Sequence, residues 1–148
     1  MPRMSESFQP AHADYLRDES RRTGRADRIA FPRVESEVLK ALAEACARNM
    51  PVTAQGARTG IAAGAVPEGG LILNLSAMDK ILAAENGELR VQPGATLAAI
   101  RAAVPAGCFF APDPTETTAS IGGMVSCNAS GALSFLHGPT RNHVLGLR

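Results

Sequence analysis

A loop of small residues can bind an anion when successive backbone N–H groups line one concave surface and no side chain stands in the way. The stretch AQGARTGIAAGAVPEGG, Ala54 to Gly70, has that composition, with five glycines, one arginine and no aromatic residue. A mobile connection has the same composition, so the loop alone leaves both readings open. Two phosphate chemistries are excluded at once. A P-loop carries lysine and then serine or threonine after its last glycine, whereas Ile61 follows Gly60 and Ala65 follows Gly64. A Rossmann fingerprint opens a helix and has an acidic residue about 20 positions further on. Here the glycines lead through Pro67 into the strand pattern Leu71 to Leu75.

A second stretch, Ala111 to Leu147, is rich in Gly, Ser, Thr, Asn and Ala. Within it SIGGMVSCN reads as Ser120 capping a short helix, with Gly122 and Gly123 in the first turn. Glycine costs about 1 kcal/mol in a helix interior. Two in succession imply that some group approaches the backbone closely, and a pyrophosphate at the helix start would be such a group. Asn128 and Gly131 end that helix in an Asn-x-x-Gly turn, which an ordinary cap would explain equally well. Cys46, Cys108 and Cys127 have no C-x-x-C spacing and are expected to be small buried groups. His12, His137 and His143 show no metal-ligand spacing, so no metal site is expected. His143, alone before a strand pattern, reads as structural, and no residue is assigned a catalytic role.

The elements that position these stretches follow from periodicity. Met1 to about Thr23 reads as an arm with one helical turn near Tyr15 and Leu16, so residues 1–25 are separated from a domain over 26–148. The charge-dense segment RDESRRTGRADR, Arg17 to Arg28, mixes both signs and is expected to be solvated. RIAFP is a short strand. ESEVLKALAEACARN places Val38, Leu42 and Cys46 at helical spacing, with Glu35 and Glu37 near the N-terminal end. MPVTAQG resumes as a strand, completing a βαβ beginning that runs into the first loop. LILNLS, KILAAE and ELRVQPG are further strands, the last two joined by the turn pair Asn86-Gly87. TLAAIRAAV is a helix capped by Thr96, and PAGCFFAPDP is an apolar run broken by prolines.

Composition sets outer limits. The chain has 148 residues, 45% of them hydrophobic, and a formal net charge of +1. That charge gives no field for nucleic acid or anionic lipid. No apolar run approaches the roughly 18 residues of a membrane span, and no secretory h-region is readable at the start. With three cysteines, a reducing, cytoplasmic compartment is expected.

In order and spacing, PVTAQGARTGIAAGAVP, RVQPG before a helix, APDP, SIGGMVSCNASG and HGPTRNHVLGL resemble a known family over roughly residues 28 to 148. It is the flavoprotein oxidoreductases of the vanillyl-alcohol oxidase and p-cresol methylhydroxylase (PCMH) type. Within it the sequence looks most like FAD-linked D-2-hydroxy-acid dehydrogenases of the glycolate oxidase and D-lactate dehydrogenase kind. The resemblance implies an α+β fold: a PCMH-type FAD-binding domain of two α/β subdomains holding FAD between them, with the second subdomain incomplete and the cap domain absent. It also implies site residues. Gln55, Gly56, Ala57, Arg58, Thr59 and Gly60, with Gly64 closing the loop, would cradle the FAD pyrophosphate. Asp113, Ser120, Ile121, Gly122, Gly123, Asn128 and Gly131 would line the phosphate, ribityl and flavin side.

The resemblance further implies oxidation of a small hydroxy acid by hydride transfer to FAD, with the substrate held by the missing cap and an electron-transfer protein as a possible partner. Relatives that attach FAD covalently through this loop use a histidine. Here Ile61 and Ala62 follow Gly60, so non-covalent FAD is expected. Family members commonly carry Gly or Ala where this chain has Arg58, which either contacts a phosphate or points to solvent. Two other readings stay open: an FAD-binding subunit or fragment needing a partner chain, and a non-enzymatic binding module.

Overall fold

The computed structural model describes residues 4–112 and 114–148. The chain divides after Met78 into two units. In the first, β1 (Glu6–Ser7), β2 (Arg28–Ala30), β3 (Val52–Gln55) and β4 (Leu71–Asn74) form one sheet in the order β1-β2-β4-β3, and α1 (Glu35–Ala47) connects β2 to β3. β1 runs antiparallel to β2, and the other three strands are parallel. β4 lies in the middle with all four residues buried. Its run LILN is the continuous apolar pattern of a strand covered on both faces, broken only by Asn74.

The pairing of β3 with β4 explains the length of the glycine-rich loop. Val52 lies opposite Leu71 and Gln55 opposite Asn74, in parallel. The chain leaving Gln55 must therefore travel back along the strand before β4 begins. Such a crossover takes about a dozen residues or more and is usually helical. Here residues 56–70 make it without a helix.

α1 follows its N-cap Val34 and has Glu35 and Glu37 in its first turn, the favourable sign for the helix dipole. It ends in a Schellman motif: Asn49 has φ of 50°, its N–H donates to Cys46 O, and Met50 N–H donates to Ala45 O. The buried stripe is not the expected Val38, Leu42 and Cys46. Ala41 and Ala45 are fully covered, with Val38 packed beside them, while Leu42 is 40% exposed and Leu39 60%. Alanine at 41 and 45 lets the helix close onto Ala30, Leu71 and Leu73 of the sheet. Larger residues would hold the two layers apart.

Residues 4–27 are folded against this sheet. They contain β1 and a 3₁₀ helix, Pro10–Leu16. The expectation that the segment Arg17 to Arg28 is solvated fails at both ends, because Asp18 and Arg28 are buried. Both are hydrogen-bonded, although among the described residues Asp18 Oδ2 has no partner. Arg28 Nε donates to Ser5 Oγ at 2.6 Å and lies 3.4 Å from Glu44, and Asp18 accepts from Ser20 N–H at 2.9 Å. Paired and hydrogen-bonded charges tolerate burial.

The second unit holds the antiparallel hairpin β5 (Ile81–Glu85) and β6 (Glu88–Val91). Asn86 and Gly87 have φ of 54° and 77°, the signs that a type I′ turn requires. α2 (Leu97–Ala103) follows, and Thr96 Oγ1 accepts from Ala99 N–H as its cap. α3 (Ile121–Ser126), α4 (Ser134–His137) and a 3₁₀ helix, Thr140–His143, complete the unit. Leu97, Ile100 and Met124 form its core, with Ile81, Leu89 and Phe110 around them. The expectation of three buried cysteines is overturned: Cys46, Cys108 and Cys127 are all exposed. Cys46 falls off the rotated stripe of α1, Cys108 follows the left-handed turn at Gly107, and Cys127 ends α3.

Candidate functional site

The first loop is anchored at both ends by buried amides. Gln55, the last residue of β3, is 3% exposed. Its Nε2 donates to Tyr15 O and to Ala65 O, each at 2.7 Å. Asn74, directly opposite on β4 and 1% exposed, donates through Nδ2 to Gly56 O at 3.3 Å. Its Oδ1 accepts from Ser76 N–H at 3.1 Å. These two side chains hold the first carbonyl of the loop and one near its far end. Arg25 N–H donates to Pro67 O at 2.9 Å and Gly70 N–H to Asp27 Oδ2 at 2.8 Å, which closes the loop against the preceding segment.

Between these anchors the glycines differ in kind. Gly70 has φ of 68°, and a Cβ there would lie 2.2 Å from Pro51 O, so the fold itself requires glycine. At Gly60 and Gly64 neither reason holds. Neither has a left-handed φ, and a Cβ at either position would meet no heavy atom of the described residues within 4 Å. Both are exposed. What their missing side chains leave is open space beside the backbone, the feature an anion cradle needs.

Two non-glycine residues of the loop, Arg58 and Ala63, have φ of 60° and 61°. Such conformations cost about 1–3 kcal/mol each and persist only where surrounding contacts hold them. For Arg58 those contacts are visible. Its Nη1 donates to Asp14 O, and its guanidinium carbon lies 4.5 Å from the centroid of the Tyr15 ring. Gly56, Ala57, Arg58, Thr59, Gly60 and Gly64 thus share one crossover loop, and Gln55 ends the strand before it. The side chains of Gln55 and Arg58 turn to the N-terminal 3₁₀ helix.

In the second unit, Ser120 is buried at the start of α3 and bridges to Thr96. Ile121 N–H donates to Ala95 O and Gly122 N–H to Pro93 O, both at 2.8 Å. The close approach expected at Gly122 is present, and the approaching group is Pro93, whose Cβ and O would both stand 3.0 Å from an added Cβ. At Gly123 the neighbour is Ser120 Oγ, at 3.2 Å. Asn128, with φ of 50°, is the left-handed residue of a Schellman motif: its N–H donates to Val125 O, and Ala129 N–H donates to Met124 O. Its Oδ1 accepts from Arg141 N–H at 3.0 Å. Gly131 N–H donates to Ser134 Oγ. Asp113 lies outside the described residues.

Three contributors were not singled out from the sequence: Asp14, Tyr15 and Asn74. Asn74 had a signal, as the one polar residue in the apolar run LILN. Tyr15 is the chain's single tyrosine, but its partner is 43 positions away. Charge around the loop is modest. Arg17 holds the Asp14 carboxyl below the usual range by a hydrogen bond and by its charge, and Arg58 adds a smaller attraction. Burial pushes Asp18 up, but hydrogen bonds from Ser20 and from the backbone of Ala65 outweigh it, so its carboxyl also sits low. His143 Nε2 lies 2.9 Å from His137 O. Among the described residues no group of three or more His, Cys, Asp or Glu side chains gathers to hold a metal, and no helix is long and apolar enough to cross a membrane.

A family profile described as an FAD binding domain matches residues 26–148. D-lactate dehydrogenase of Anaerostipes hadrus is 36% identical over 137 residues, covering 88% of this chain and 29% of that protein. Glycolate oxidase subunit GlcD of Bacillus subtilis is 36% identical over 126 residues, covering 82% of this chain and 27% of that one. The chain therefore spans less than a third of the length of either relative. Among solved structures, an alkyldihydroxyacetonephosphate synthase superposes with a TM-score of 0.82 at 17% identity, over 98% of this chain and 30% of that one. A chitooligosaccharide oxidase does so with 0.79 at 19% identity, over 93% and 31%. At such identities these two establish the fold alone, that of the FAD-binding domain of PCMH-type oxidases.

Proposed function

The chain belongs to the FAD binding domain family, and from that premise we propose that it is the part of a flavin-dependent oxidoreductase that holds non-covalent FAD for oxidation of a 2-hydroxy acid of the D-lactate or glycolate type. The observation that carries this reading is the pair Gly60 and Gly64, whose open space answers to no packing or backbone need of the chain itself. The hydroxy-acid class is supported by the names of two relatives, D-lactate dehydrogenase and glycolate oxidase.

In this reading the backbone from Gln55 to Gly60, with Gly64, holds the pyrophosphate, and the buried amides of Gln55 and Asn74 keep the loop in shape. Backbone N–H groups suit this task because they are fixed donors with no side-chain freedom to lose. In the second unit, Ser120, Ile121, Gly122, Gly123, Asn128 and Gly131, with Asp113, carry the remaining proposed contacts. When bound, FAD supplies an acceptor for the hydride equivalent of the alcohol carbon. The absence of histidine in the loop supports non-covalent retention, and three exposed free thiols fit a reducing, cytoplasmic compartment.

One relative is named as a subunit, which supports a second reading, an FAD-binding subunit that acts with a partner chain. An absorbance spectrum of the purified chain before and after acid precipitation tests the first reading. Flavin bands that leave with the supernatant fit non-covalent FAD, and colour that stays with the pellet contradicts it. A copurifying polypeptide needed for oxidation of D-lactate or glycolate would favour the second. A folded chain that takes up no added FAD would leave a non-enzymatic module.

A further inference from the structure

Arg58 has a left-handed backbone conformation, and its side chain meets Asp14 and Tyr15 of the N-terminal 3₁₀ helix. We infer that Tyr15 and Arg58 form a latch through which this helix sets the shape of the phosphate loop, so that both are positioning residues for FAD. The inference rests on the reading of residues 55–64 as that loop.

Three contacts converge on adjacent residues of the helix. Arg58 Nη1 donates to Asp14 O, the guanidinium lies over the Tyr15 ring at 4.5 Å, and Tyr15 O accepts from Gln55 Nε2 at 2.7 Å. The same Gln55 nitrogen reaches Ala65 O across the loop. Tyr15 is itself braced, its ring meeting Phe31 edge to face at 5.1 Å. The latch therefore touches the loop where it leaves β3, at Arg58, and through Gln55 near its far end. Arg58 could not keep φ of 60° by local preference, since only glycine and, less readily, asparagine or aspartate rest there. Release of the guanidinium frees that residue to return to the ordinary region and carries the N–H groups on either side with it.

A loop whose shape depends on a docked helix couples ligand binding to docking, and the coupling is reciprocal. FAD should then hold the helix in place. The exposed Arg17, Arg21 and Arg22 just beyond it provide trypsin sites that report release.

The test measures FAD affinity by flavin fluorescence titration and tryptic cleavage at those arginines, in wild type, Tyr15→Phe, Tyr15→Leu, Arg58→Met and the Tyr15→Leu/Arg58→Met double variant. Tyr15→Phe keeps the ring and should match wild type. Tyr15→Leu and Arg58→Met should each weaken FAD about tenfold, within the usual range of coupling between sites, and the double variant should be no weaker than either single. FAD should slow cleavage in wild type and Tyr15→Phe only. Arg58→Met retains the stem and alters a surface contact, so it reports even where Tyr15→Leu does not fold. Loss in Arg58→Met with wild-type affinity in Tyr15→Leu, or additive losses in the double variant, would overturn the latch and point to direct contact of Arg58 with FAD. Wild-type chain that binds no FAD overturns the cofactor reading and the latch together. Binding by wild type with unchanged affinity in both single variants overturns the latch alone.

Discussion

Pro93 closes over Gly122: a Cβ on that glycine would stand 3.0 Å from both the Cβ and the carbonyl oxygen of Pro93, the same oxygen that accepts the Gly122 N–H. A Cβ at this position therefore needs Pro93, on the turn before α2, to give by a few tenths of an ångström. Gly122→Ala should destabilise the chain by about 1–3 kcal/mol, the usual cost of overpacking, read as a lower urea midpoint. An unchanged midpoint would mean that the turn yields without cost.

Gln55 should be less replaceable than its place at a strand end suggests. Gln55→Leu keeps volume but leaves Tyr15 O and Ala65 O without their shared donor. A part-buried acceptor left unsatisfied costs about 1 kcal/mol, the low end for a buried one. A lower melting temperature is expected for Gln55→Leu, and also for Gln55→Glu, whose carboxylate cannot donate. Equal stability of Gln55→Glu and wild type would contradict the bridge.

Acid should weaken the first unit in a defined direction. Burial pushes Glu44 up, but hydrogen bonds from Ser5 and the charges of Arg28 and Arg48 outweigh it, so its carboxyl lies below the ordinary 4.5. Asp18 lies below 3.8. Both bind protons less readily in the fold than in the unfolded chain. Their contribution is therefore complete above these ordinary values and is lost as pH falls through the lower values of the fold. Thermal melts should show stability dropping as pH falls below 4.5, with a shallower drop in Glu44→Gln. An identical slope in that variant would remove Glu44 from the account.

All three thiols, being exposed, should react with Ellman's reagent in the native chain. A protected thiol that appears only after urea is added would contradict the observed surface.

Local signals in the sequence were read well where neighbours in the chain decide the outcome. Thr96 caps α2, and Asn86-Gly87 turns the hairpin, because each acts within a few residues. The glycines mark a loop of small side chains, which begins at Gly56 rather than Ala54 because Ala54 and Gln55 end β3. What escaped was decided at long range. Nothing near residue 71 says that β4 enters between β2 and β3, which is what makes the loop a helix-free crossover. Arg58 stayed open between phosphate and solvent because its partners, Asp14 and Tyr15, belong to a segment expected to be an arm. On α1, a choice between stripes one position apart was settled by the sheet, which admits Ala41 and Ala45 and leaves Leu42 and Cys46 outside. Glycine in the first turn of α3 points to approach by a ligand, whereas the group lying against Gly122 is Pro93, which spacing alone does not name.

Gly60 and Gly64 offer the cleanest access to the central claim, because an added Cβ at either meets no heavy atom of the described residues within 4 Å and should leave folding intact. FAD titration of Gly60→Val and Gly64→Val, alongside melts to confirm folding, should show wild-type stability with affinity weakened at least about tenfold, a loss of about 1.4 kcal/mol. Wild-type FAD affinity in both folded variants would contradict the assignment of this crossover loop as the cradle of the cofactor's phosphates.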